Sequence, residues 1–272
     1  MSEEDGRYLY CIINSDEAPS FGNTGIEDNQ VYTIIYKDIA AVVHSCQAKP
    51  YKTEDKEKAA EWILSHNYVI DLSTKKSGTV LPFSFDTIVK GSDETVILWL
   101  EKSYTILKGE LDRLKNKAEY SIHVFYDNEC LKANLACRDI ELKKIKEKID
   151  RMPKGAAYLL QRGLELKVKD AISQEVSRLS NEFITDIREH VEEIREEKNL
   201  HVPEKYNGKK PIVGLTCLIH EDRIEKLGEE LDEINRRVGF AVRFTGPWAP
   251  YSFVKRFDET GNADPARQRE GL

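Results

Sequence analysis

Apolar residues recur along this chain in two rhythms, a two-residue beat in short runs and a three-to-four-residue beat in long ones. The order of these rhythms predicts the elements. Tyr8 to Ile13 reads as a first strand, and the Ser-, Asn- and Gly-rich stretch after it as a loop. Val31 to Tyr36 and Ile39 to His44 are two further strands, separated by Lys37-Asp38 at hairpin spacing. Thr53 is placed to cap the charged EDKEK opening of a helix with Ala60, Ile63, Asn67 and Ile70 on its inner side and Trp62 and Val69 beside them. Thr79 to Phe85 reads as a strand, and Pro82 inside it argues for an edge or a bulge because proline cannot donate to the ladder. From Ser92 a second helix puts Val96, Leu100, Tyr104, Leu107, Leu111 and Leu114 on one stripe. Residues 1–117 thus form an α+β domain of order βββαβα.

The pattern then starts again. Tyr120 to Tyr126 is a strand, and Glu129 to Arg151 a helix with Leu131, Leu135, Leu142, Ile145 and Ile149 inward, broken by Pro153-Lys154-Gly155. Ala156 to about Lys198 keeps an apolar residue every three or four positions, from Leu164 through Phe183 to Val191 and Ile194, a helical run of roughly 60 Å that is longer than one compact domain needs and so must bend, break or project. The NLHVPEKYNGKKP segment reads as a loop, with a short edge strand near His201 and Val202 as the alternative. Ile212 to Ile219 is a buried strand, and Ile224, Leu227, Leu231, Ile234 and Val238 mark a helix. Gly239 suits the left-handed cap that ends it, and Phe240 to Thr245 alternates as a last strand. Residues 118–254 are therefore a second domain, ferredoxin-like with long helices, and 255–272 a disordered tail.

Composition removes several classes of function. The chain has 272 residues, enough for two modest domains, and a formal charge of −7 offers no global positive field for nucleic acid or an anionic membrane. The opening MSEEDGRYLY lacks a signal-peptide pattern, and no apolar run reaches the ~20 residues that span a bilayer, so a cytoplasmic protein is expected. Five cysteines lie scattered without a C-x-x-C pair and read as reduced, buried hydrophobes.

Candidate chemistry is sparse. The six histidines never fall at H-x-x-x-H or H-x-H spacing, and His44 reads as a loop-edge residue and His123 as a hydrogen-bonded or solvent-side strand residue. Phosphate-binding glycine loops and the G-x-S-x-G elbow are absent, and the carboxylates lie in charge runs such as EEIREEK that suit solvated faces. No catalytic residue, metal ligand or cofactor site is assigned. The exit Gly246-Pro247-Trp248-Ala249-Pro250-Tyr251-Ser252-Phe253 differs, because two prolines stiffen a segment carrying three aromatics. It reads either as a rigid tail packed on its own domain or as a partner-docking surface built on Trp248, Tyr251 and Phe253, residue types that dominate binding hot spots.

This exit resembles the G-P-W-P-P-Y-S-F ending of the GvpL/GvpF family of gas vesicle proteins, and four further stretches agree in order. Tyr8-Leu9-Tyr10 is similar to the family's opening Y-L-Y, and His66 to Ile70 to its H-x-x-V-L helix. Val80 to Thr87 is similar to V-L-P-x-R-F-G-T, and Gly155 to Leu159 to G-x-x-Y-L. Cys11, Ser84, Asp86 and Ala249 stand where the family pattern has Gly, Arg, Gly and Pro. The resemblance implies a nonenzymatic accessory protein for gas vesicle assembly. It implies association with the hydrophobic shell protein GvpA, and with other accessory gas vesicle proteins, in the cytoplasm at the vesicle. Two alternatives stay open, a minor structural component of the vesicle and a ferredoxin-like domain that binds a small metabolite or haem through His44 or His123.

Overall fold

A computed structural model describes residues 5–138, 144–145, 147–149 and 151–255 of the chain. The fold is mixed α/β with two antiparallel sheets and helices. The described residues divide into two compact units, one drawn from Met1–Glu119 with Pro247–Leu272 and the other from Tyr120–Gly246. The exit segment from Pro247 therefore groups with the first unit, whereas sequence order alone puts it with the second. Of residues 255–272, expected to be a disordered tail, Lys255 is described and pairs with Glu110, and 256–272 lie outside the described residues.

The first unit is built on β1 (Asp5–Asn14), β2 (Tyr32–Tyr36), β3 (Ile39–Gln47), α1 (Lys56–Ser77), β4 (Val80–Pro82), β5 (Ile88–Lys90) and α2 (Asp93–Arg113). The Lys37-Asp38 hairpin forms as the spacing requires, with Lys37 at φ 55° and Tyr36 opposite Ile39. The sheet order is β2-β3-β1-β4, with β5 also pairing β1. β1 is central, and Tyr8 to Ile13 are almost wholly buried.

Of the stretch predicted as one strand from Thr79 to Phe85 only β4 is a strand, and β5, which follows beyond it, pairs the same edge of β1. Cys11 to Ile13 face β4, and Gly6 to Tyr8 face β5. Pro82 ends β4 because it has no N–H for a longer ladder. The chain loops out between the two strands and is held by Phe83 N donating to Tyr10 O at 2.9 Å and Leu9 N to Thr87 O at 2.9 Å. Asp86 in this loop sits at φ 67°, a left-handed conformation in which glycine costs nothing, and this accounts for the glycine of the family pattern. The aspartate compensates by accepting a hydrogen bond on Oδ1 from Tyr51 N at 2.9 Å. Asp86→Ala, which keeps the strained angle and loses the bond, is expected to cost about 1–2 kcal/mol, whereas Asp86→Gly, which trades one for the other, changes stability by less than about 0.5 kcal/mol. Denaturant unfolding of the two variants checks the order.

Two expectations for α1 are corrected. Its N-cap is Asp55, which accepts from Glu57 N and Lys58 N at 2.9 and 3.3 Å, while Thr53 accepts from Asp55 N one step earlier. Its buried side is Trp62, His66, Val69, Ile70 and Ser73, and Ile63 points outward. In α2 most of the predicted stripe holds, with Val96, Leu100, Leu107 and Leu111, and Leu114 at its C-cap, fully buried, while Tyr104 is half-buried and donates to Asp38 Oδ1 at 2.7 Å.

The second unit is built on β6 (Lys117–Tyr126) from Tyr120 onward, α3 (Asn128–Arg138), α4 (Lys154–Arg188), β7 (Glu193–Glu196), β8 (Lys210–His220), α5 (Ile224–Arg236) and β9 (Phe240–Trp248) up to Gly246. Its sheet order is β7-β8-β6-β9. The helix expected to Arg151 is described as α3 to Arg138, and 139–143, 146 and 150 lie outside the described residues. The long helix does not run to Lys198. It stops at Arg188, and Ile194 pairs with Cys217 in the β7–β8 ladder, drawn there by Glu192 N donating to Leu218 O at 2.9 Å. That ladder takes the edge-strand role expected near His201 and Val202, which form no strand. Leu179, Phe183 and Ile187 of α4 and Leu227, Leu231 and Ile234 of α5 form the helical side of the core. Val238, expected inside, is 78% exposed, because the helix ends at Arg236 and Arg237 turns to an extended conformation; Gly239, expected as the left-handed cap, has φ 93° but lies in the turn beyond the helix end.

Candidate partner-docking site

The side chains of the first-unit motifs meet in one buried cluster. Tyr10 Oη accepts from Ile26 N at 3.0 Å and is hydrogen-bonded to His44 Nδ1 at 2.7 Å, and His44 Nε2 lies 3.0 Å from Tyr51 Oη. Tyr8 Oη accepts from Asp86 N at 3.0 Å and gives its proton to His66 Nδ1 at 2.9 Å, while His66 Nε2 donates to Phe83 O at 3.1 Å. Since a carbonyl only accepts, His66 is the neutral Nε2–H tautomer. Burial pushes both histidines down to about 4, with Glu27 opposing the shift at His44 and the Phe83 carbonyl opposing it at His66. Burial likewise raises the phenols of Tyr8, Tyr10 and Tyr51. His44 is thus no loop-edge residue but a fully buried one with both ring nitrogens engaged, and the cluster is a structural knot. A spacing search misses it because its members are brought together from four separate segments.

His123 donates to Glu197 Oε2 at 2.9 Å, and Glu197 Oε1 accepts from Thr216 at 3.0 Å. Its Nδ1 is buried without a partner among the described residues. No group of three or more His, Cys, Asp or Glu that suits a metal ion occurs among the described residues. Cys11 and Cys217 are buried, with thiols pushed up to about 12 by desolvation, but Cys137 is exposed, which corrects the reading of all five cysteines as core residues.

The exit aromatics separate into two roles. Phe253 is 3% exposed, and its carbonyl accepts from Arg113 Nη2 at 2.6 Å. Ser252 donates from N and Oγ to the Glu119 carboxylate at 2.7 and 2.9 Å. Lys255 reaches Glu110 at 2.9 Å, and Glu110, nearly buried, also pairs with Arg113 at 2.8 Å, so two cations compensate its carboxylate and hold it below its ordinary range against desolvation. Trp248 stays 52% exposed and Tyr251 38%. Tyr251 donates its hydroxyl to Asn67 Oδ1 of α1 at 3.2 Å.

That bond joins the exit to an outward apolar stripe. Ile63, Leu64 and Tyr68 lie one helical turn before and one residue after Asn67, and Leu64 and Tyr68 are 68% and 55% exposed. Tyr251 thus reaches the α1 stripe, Trp248 is exposed on the same exit segment, and Phe253 is buried. Sequence reasoning missed α1's contribution, for which the signal was Leu64 and Tyr68 falling off the expected inner side.

Residues 6–255 match the family described as Gas vesicle synthesis protein GvpL/GvpF. The chain belongs to the GvpL/GvpF family. Gas vesicle protein L1 of Halobacterium salinarum is 32% identical, covering 92% of this chain and 90% of its own. Gas vesicle protein L of Haloferax mediterranei is 29% identical, over 92% of this chain and 88% of its own. Among solved structures, the gas vesicle protein GvpF from Anabaena shares the fold with a TM-score of 0.67 at 16% identity, over 91% of this chain and 97% of that one. GvpF from Microcystis aeruginosa gives 0.58 at 17% identity. Within this GvpL/GvpF chain no helix among the described residues is long and apolar enough to cross a membrane.

Proposed function

We propose that the protein is a nonenzymatic accessory factor in gas vesicle formation that binds the hydrophobic shell protein GvpA and keeps it competent for addition to the wall, acting in the cytoplasm at the vesicle. Family membership across residues 6–255 carries the link to gas vesicles. The exposed surface of Ile63, Leu64, Tyr68, Trp248 and Tyr251 supports the binding role, because an apolar client needs an apolar host while it waits. Hydrogen bonds and ion pairs hold the exit in place, so Trp248 meets a partner with little ordering cost. We also read the strand order β7-β8-β6-β9, with α4 and α5 against the sheet, as the ferredoxin-like arrangement.

Co-expression with GvpA followed by affinity capture tests the proposal. The wild-type protein is expected to bring GvpA down from the soluble or the washed-vesicle fraction, and Trp248→Ala or Leu64→Asp to reduce recovery by about 10-fold or more while leaving the unfolding midpoint in place. Absence of GvpA from both fractions with the wild-type protein would overturn it.

A further inference from the structure

A second surface lies wholly within the second unit and is independent of the shell-protein reading. α4 carries one apolar stripe along its length. Toward its C-terminal end Leu179, Phe183 and Ile187 are buried in the core. Toward its N-terminal end Leu164, Val168, Ile172 and Val176 are only half covered and form one wall of a groove of about 970 Å³ whose other wall is α3. The two runs continue one helical period, and Leu164 to Val176 spans about 18 Å, between three and four turns.

The groove's rim is basic in a chain whose formal charge is −7. Lys132, Lys169 and Lys210 line it against one carboxylate, Glu165. Lys132 leans toward Glu129 at 3.7 Å, while Lys169 and Lys210 make no ion pair among the described residues. Ammonium groups on the rim, two of them without an ion-pair partner among the described residues, beside an apolar stripe fit an occupant that brings both apolar side chains and carboxylates.

We propose that the α3/α4 groove docks an amphipathic helix of a partner protein whose apolar face is flanked by Asp or Glu. Both walls are helices, whose backbone N–H and C=O groups are spent within the helix, so an added strand would find no edge to pair with. Side chains at three- and four-residue steps instead present the ridges and grooves into which another helix packs. A small-molecule site is less well matched, since its specificity needs fixed, convergent polar groups and this groove offers lysines on flexible stems.

The test uses the full chain and two labelled helical peptides about four turns long, identical in their leucine face but flanked by Glu in one and Lys in the other. Fluorescence anisotropy at low salt is expected to show the Glu peptide binding about 10-fold tighter or more, with the preference shrinking at high salt. Val168→Asp in the groove is expected to weaken binding about 10-fold or more, while Leu166→Asp, on the 60% exposed outer side of the same helix, leaves it unchanged. Lys169→Glu combined with Lys210→Glu is expected to reverse the preference. Equal binding of the two peptides, equal effects of the two aspartates, or absence of binding overturns the proposal. So does self-association that Val168→Asp dissolves, because a second copy would then be the occupant. GvpA capture by the Val168→Asp protein is scored separately, so loss of one interaction is distinguishable from loss of the other.

Discussion

Acidification from pH 7 to pH 4.5 is expected to remove several kcal/mol of stability from the first unit, and His44 and His66 are the cause. Both side chains are buried and neutral, and both are pushed from 6.5 down to about 4 by desolvation. A base whose affinity for protons is lower in the folded than in the unfolded chain favours folding in its neutral form. That contribution is complete above about pH 6.5, falls as pH drops, and is gone at about pH 4. A shift of this size is worth on the order of 3 kcal/mol for each histidine, a large share of a marginal total. The surrounding groups give little relief. Tyr8, Tyr10 and Tyr51 stay neutral phenols throughout, the Phe83 carbonyl already accepts from His66, and Glu27 favours protonation of His44 only against the larger desolvation effect. Paired carboxylates such as Glu110 titrate below their ordinary range, so between pH 6.5 and 5 the histidines dominate the slope. Urea midpoints measured across that interval check the result. His66→Gln and His44→Gln should each lower stability at pH 7 and each remove about one proton from the pH dependence. A wild-type curve that is flat from pH 6.5 to 5 would rule the mechanism out.

The cluster also marks the limit of what sequence pattern reveals. The hairpin at Lys37-Asp38 and most of the stripe of α2 are local, each decided by a few neighbouring residues, and they form where periodicity puts them. The end of α4 is not local. Val191 and Ile194 keep the helical three-residue step, yet the carbonyls and amides of β8 offer them a ladder, and over so short a run period alone does not choose. On α1 pattern reading places the wrong side inward for a chemical reason. Its buried side includes His66 and Ser73, which hydrogen bonds make tolerable, with Ser73 donating to Val69 O at 2.7 Å and His66 bound at both nitrogens. Its open side carries Leu64 and Tyr68, which stay largely exposed among the described residues. A helix that hides polar groups and shows apolar ones departs from local rules where function asks for it. The Gly-Pro-Trp exit was legible as a special segment, but its division into anchor and exposed aromatic depended on Arg113, Glu119 and Asn67, all more than a hundred residues away in the chain.

That division sets the second large effect. Phe253→Ala is expected to destabilise the first unit by about 3–5 kcal/mol, the usual cost of emptying a buried phenylalanine site. Trp248→Ala is expected to cost less than about 1 kcal/mol, because half of its surface already faces solvent. The backbone explains why the anchor matters beyond its own ring. Phe253 O is held by Arg113, which also helps compensate the buried Glu110 carboxylate with Lys255, so loosening the ring releases a cation from an almost buried acid. Far-UV circular dichroism in a guanidinium titration measures both variants without relying on Trp248 fluorescence. GvpA capture then separates the roles, since Phe253→Ala should lose binding only in proportion to the unfolded fraction, and Trp248→Ala should lose binding while folded. A Trp248→Ala protein as unstable as Phe253→Ala would make the tryptophan an anchor and leave Tyr251, Leu64 and Tyr68 as the docking surface. A folded Trp248→Ala protein that captures GvpA at full strength would move the docking surface away from the exit altogether.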